Sequence, residues 1–71
     1  MSAQKHLTLT GISEISWKDA INSTIADASK TIDYINSIKI LEQTAKVTGK
    51  KIVEYYATID LCFTIERERE G

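Results

Sequence analysis

Few side chains in this 71-residue chain could do chemistry, and Cys62 and His6 are its only cysteine and histidine. A thiol becomes a nucleophile when a nearby cation lowers its pKa. Cys62 has Leu61 and Phe63 beside it instead, and reads as a small residue lining a packed face. One cysteine excludes an internal disulfide, and one cysteine with one histidine excludes a Cys/His zinc site within a single chain. His6 could pair with a carboxylate, but reads first as a solvated histidine at a strand start. Asp33, Glu42 and Asp60 are candidate acids, yet no spacing guarantees that two of them meet. Gly11, Gly49 and Gly71 make no phosphate-binding pattern. Trp17 could be a ligand platform, although its helical spacing with Ala20 and Ile21 favours an anchor that holds a helix to a sheet.

Four elements must position these residues. Residues 5–10 alternate strictly, with Leu7 and Leu9 opposite His6, Thr8 and Thr10, which predicts a short strand ended by Gly11. Ser16 is a good N-cap, and Asp19 three residues on resembles the partner in a capping box. Trp17, Ala20, Ile21, Ile25, Ala28 and Ile32 then share one helical face opposite Lys18, Asn22, Ser23, Asp27 and Lys30, which predicts an amphipathic helix over about 17–33. Residues 37–47 read as a second strand. Ile38 and Ile40 fall on one face but Leu41, Ala45 and Val47 on the other, so a bulge or two-sided burial is expected. After the turn at Thr48-Gly49-Lys50, seven apolar residues from Val53 to Ile65 occupy every odd position of a long third strand. The helix connects two parallel strands, and the third, antiparallel to both, is expected between them. Its odd face, with Phe63 and Tyr55, should receive the helix. The even face, with Tyr56 and Cys62, should have no cover within one chain.

Size bounds the rest. The chain is a single domain, 1–71, with a core over about 5–66 and a charged end at 67–71 that reads as a solvated strand end or tail. Folding at this length buries only roughly 60% of the unfolded surface, and with neither disulfide nor metal the expected staple is self-association. A net charge of −1 argues against nucleic acid or an anionic membrane as partner. No apolar run approaches membrane-spanning length and no signal peptide is visible, so the cytoplasm is the expected compartment.

The short strand with Thr10-Gly11, the stretch Ser13-Glu14-Ile15-Ser16-Trp17-Lys18-Asp19-Ala20, the Ala-rich helix and the long hairpin ending Leu61-Cys62-Phe63-Thr64-Ile65-Glu66 together resemble a dodecin over residues 5–66. The resemblance implies an α+β, βαββ fold in which a three-stranded antiparallel sheet partly wraps one helix. It also implies a hollow homododecamer with helices outside and sheets facing inward, and flavin (riboflavin or FMN) bound in pairs near the threefold axes for storage. The even face would then line the interior. By family position the ligand-binding residues fall on Ser37, Tyr56 and Glu42. Ser37 stands where flavin binders place a stacking tryptophan and Tyr56 where they place a glutamine; Glu42 keeps the acidic character of its position. The chain thereby resembles a subgroup without the tryptophan, for which calcium is the proposed ligand; Glu42, Glu54 and Asp60 are available oxygen ligands for such a cation, though no sequence motif places them together.

Three functions follow. The first is a dodecin-like shell that binds or stores a small ligand, flavin with weakened or altered binding. The second is a flavin-free assembly that binds a cation such as calcium or plays a structural part. The third, an enzyme with its site between subunits, has only Asp60 and Tyr56 to work with on the even face and is set aside.

Overall fold

The alternation at the C-terminal end does build the longest strand, and the rest of the chain arranges around it. A computed structural model describes residues 2–66, and the side chains of 3–65. The elements are β1 (Ser2–Ser13), α1 (Trp17–Ala28), β2 (Ile35–Thr48) and β3 (Lys51–Glu66). The sheet order is β1-β3-β2, with β3 antiparallel to both neighbours. The charged end at 67–71 lies outside the described residues.

Three expectations need correction. β1 does not stop at Gly11 but runs on to Ser13, pairing Gly11 with Ala57. Gly11 is there because α1 lies on top of it: a Cβ would overlap Thr24 Oγ1 and come within 2.5 Å of the Ala20 carbonyl oxygen. α1 ends at Ala28 rather than near 33. Ser29 caps it, its amide donating to Ile25 O and Asp27 O and its hydroxyl to Ile25 O at 2.8 Å. The following Thr, Ile and Asp are weak helix formers, so nothing in propensity carries the helix further. Finally, Phe63 is only half-buried, because the shorter helix no longer reaches over it.

At the other end of α1, Ser16 Oγ accepts the Asp19 amide at 3.0 Å, as an N-cap should. The Asp19 carboxylate does not return to Ser16. It accepts from Ser13 Oγ at 2.7 Å, and that hydroxyl in turn accepts the Ile15 amide at 2.9 Å. The turn out of β1 is thus tied to the first turn of the helix. Trp17 is the anchor expected of it: Nε1 donates to Thr44 O at 2.8 Å, and the indole meets Tyr55 edge to face with centroids 4.9 Å apart.

Helix and sheet meet through small residues. Ala20, Thr24 and Ala28 are the buried positions of α1, one turn apart; Ala20 and Thr24 lie over Gly11, and Ala28 joins Ile59 and Leu61 in the core. Thr24 is affordable there because its hydroxyl donates to Ala20 O at 2.8 Å. Ile59 and Leu61 are the only large side chains among the described residues that are fully buried, with Leu9, Ile21, Ile25, Ile32, Ile35 and Ile38 packed around this core.

The expected irregularity of β2 resolves into bulges. Its pairing with β3 slips between Ile35 and Ser37 and between Ile40 and Glu42, which leaves Asn36 and Leu41 as extra residues. A third slip between Lys46 and Val47 leaves Val53 of β3 unpaired. Gly49 closes the hairpin with φ of 65°, and Lys50 stays at negative φ, the pattern a two-residue type II′ turn requires.

Candidate functional site

Residues directly opposite one another in an antiparallel pair share a face, so the register assembles the even face row by row. One row is His6, Cys62 and Ser37; the next is Thr8, Asp60 and Lys39. After the Leu41 bulge come Thr10, Thr58 and Glu42, then Ile12, Tyr56 and Thr44. The bulge is what puts Ser37, odd in number, and Glu42, even, on the same surface. All three residues assigned by family position, Ser37, Glu42 and Tyr56, lie on this face, and none of the described elements covers it. Its β3 residues Tyr56, Thr58, Asp60 and Cys62 are all partly exposed, whereas Ala57, Ile59 and Leu61 on the reverse are buried.

The three residues do not meet within one chain. The rows of Ser37 and Tyr56 are those of Cys62 and Tyr56 on β3, six residues or about 20 Å apart along the strand. Glu42 falls between them, one row from Tyr56.

Two polar pairs occupy the same surface. His6 Nδ1 donates to Asp60 Oδ2 at 2.7 Å across β1 and β3, and Thr8 Oγ1 approaches Asp60 Oδ1 at 3.5 Å. The solvated-histidine reading of His6 therefore gives way to the carboxylate pair. His6 keeps 58% of its side chain exposed against 22% for Asp60, so the imidazole stands over the acid. The signal for this pair lay in the apolar faces: Leu7 and Leu9 of β1 and the apolar run of β3 are all odd-numbered, so the register that brings those faces together also puts His6 and Asp60 on one surface. The second pair is Tyr56 Oη donating to Glu54 Oε1 at 2.7 Å. This hydrogen bond, with desolvation and the charge of the same carboxylate adding to it, holds the Tyr56 phenol above its usual range. Two of the three carboxylates considered for a cation thus already have partners, and Glu42 makes no hydrogen bond among the described residues. No group of three or more His, Cys, Asp and Glu among the described residues is arranged to hold a metal ion. Cys62 is a half-exposed free thiol beside His6 in register. Thr10 and Thr58 join hydroxyls at 2.9 Å in the middle of the face.

Residues 4–66 match the family model described as Dodecin. The chain belongs to the dodecin family. Solved dodecin structures share its fold closely. A mutant of Thermus thermophilus dodecin is 24% identical and superposes with a TM-score of 0.88, over 94% of this chain and 100% of that one. Dodecin from Streptomyces davaonensis, 18% identical, gives a TM-score of 0.86 over 93% and 97% of the two chains. The calcium-chelating immunodominant antigen from Mycobacterium tuberculosis, a calcium dodecin with a novel calcium-binding site, is 23% identical with a TM-score of 0.79, over 97% and 99%. No curated protein matches the chain. The βαββ order and the three-stranded antiparallel sheet with one helix are those of the dodecin fold.

Proposed function

We propose that this dodecin assembles into a hollow homododecamer and holds a small ligand against its open sheet face, as a storage or buffering protein of the cytoplasm rather than an enzyme. The observation that carries this reading is the open face itself. It gathers Ser37, Glu42 and Tyr56 on one uncovered surface but separates Ser37 from Tyr56 by about 20 Å. A ligand that touches both must draw them from different copies, so the site and the assembly belong together.

Flavin is the ligand class the family points to, and this face is poorly equipped for it. Ser37 has no π-surface to stack on the ring, and stacking contributes about 0.5–1.5 kcal/mol beyond area burial. The Tyr56 hydroxyl is engaged by Glu54 and offers a single donor where an amide would offer a donor and an acceptor. Riboflavin is therefore expected to bind at least tenfold more weakly than to the Ser37→Trp/Tyr56→Gln double variant, a factor worth about 1.4 kcal/mol. Fluorescence-quenching titration of the two proteins measures this, and equal or tighter binding by the unmodified chain would contradict it.

A cation such as calcium is the second reading, favoured by the similarity to a calcium-chelating dodecin and by Glu42, Glu54 and Asp60 sharing one face. Calcium takes six to eight oxygen ligands, so carboxylates of several copies would have to converge, with Glu42 as the one not already hydrogen-bonded. Calorimetric titration with calcium, comparing the protein with its Glu42→Gln variant, tests this reading; binding indifferent to that change would exclude Glu42 as a ligand.

A further inference from the structure

The two ends of the sheet carry complementary surfaces that the single chain leaves unused. At one end the β2–β3 hairpin runs past the helix. Val47 pairs with Ile52, the slip beside them leaves Val53 unpaired, and these three aliphatics are 59%, 46% and 38% exposed. Beyond them lie Lys50 in the turn and Lys51 at the start of β3. At the other end, the α1–β2 connection and the last part of β3 enclose an open groove of about 290 Å³, with Ile32, Tyr34, Phe63 and Ile65 as its apolar walls and Asp33 at its side. The two ion pairs among the described residues, His6–Asp60 and Lys30–Asp27, involve neither Asp33 nor the two lysines.

We infer that the hairpin tip of one copy seats in the groove of the next, with Val47, Ile52 and Val53 against Phe63 and Tyr34 and with Lys50 and Lys51 facing Asp33. The inference rests on the proposed assembly and names the contact that builds it. A tip cannot reach the groove of its own chain. Ile52 and Thr64, whose amide bonds Tyr34 O at 3.3 Å, are twelve residues apart on one strand, about 40 Å. Apolar surface of this kind on so thin a molecule calls for a cover, and a second copy supplies both the apolar complement and the opposite charge. A contact between different surfaces is heterologous and closes into rings when the rotation allows, which suits a closed shell.

Cysteine cross-linking tests it. A protein with Cys62→Ser, Tyr34→Cys and Ile52→Cys should, on mild oxidation, give a reducible ladder of covalent multimers on a denaturing gel. Each variant with only one of the two new cysteines should give none. Efficient dimers from Ile52→Cys alone would mean that tips meet tips, and would overturn the inference. So would the absence of a ladder from a particle that light scattering shows to be assembled. A monomeric parent protein would overturn the assembly reading and the contact with it. Charge exchange provides a check independent of the cysteines. Asp33→Lys should weaken assembly at least tenfold, and adding Lys50→Glu and Lys51→Glu to the same chain should restore it; indifference to both changes would also overturn the contact.

Discussion

Gly11 sets how closely the helix can approach the sheet. A methyl group at that position would run into the Thr24 hydroxyl and the backbone of Ala20, and backbone cannot give way as the end of a flexible side chain can. Gly11→Ala is expected to cost about 1–3 kcal/mol, the usual range for overpacking a tight interior, and more if the helix lifts. A thermal or urea melt measures this, and a neutral effect would mean that α1 is not held where the structure puts it. The position was legible in sequence only as a turn glycine, because no one-dimensional pattern says that a helix lies over residue 11. Tyr56 gives a test on the open face. Its phenol is held above the usual range by Glu54, so the neutral form is the one the fold favours. The sign follows: the stabilisation is complete below the pKa of an unfolded tyrosine and is lost as pH rises through the raised folded value, at alkaline pH. Glu54→Gln should lower the Tyr56 midpoint in an ultraviolet titration of tyrosinate. An unchanged midpoint would show that the carboxylate is not its partner.

At the level of elements, periodicity carried most of the fold. The odd-numbered apolar run of β3 identified the face that takes the helix, and Ala57, Ile59 and Leu61 are indeed buried there. Toward the ends of that run Val53 is exposed and Phe63 and Ile65 are only half-buried, because α1 spans only Trp17–Ala28. Alternation tells which side a residue faces and not whether anything lies on that side. The broken alternation of β2 was visible at Ile40 and Leu41, and the structure gives its cause as one extra residue. Leu41 is therefore the hinge of parity: it lets Ile38 and Ile40 face the helix side while Glu42 and Thr44 join Ser37 on the open face. Deleting Leu41 should force one half of β2 to turn its side chains to the wrong face. The expected outcome is loss of the cooperative melt, or of soluble protein altogether. A deletion variant that melts like the parent would show that the bulge does not set the register.

The molecule as a whole is thin. It measures 63 × 19 × 11 Å with a radius of gyration of 15.4 Å, against about 11 Å for a compact domain of this length. Only Ile59 and Leu61 among the large described side chains are wholly out of water, while Leu7, Ile12, Ile40 and Leu41 are each more than two-fifths exposed. Length and the lack of disulfide pointed to partner subunits from the sequence. The proposed ligand site was not legible in the same way, since Ser37 and Tyr56 lie about 20 Å apart on one chain. The mass of the native particle is accordingly the most direct measurement. Size-exclusion chromatography with light scattering at micromolar protein should give a mass near twelve chains of 8.0 kDa. A folded particle at the mass of one chain would contradict the account.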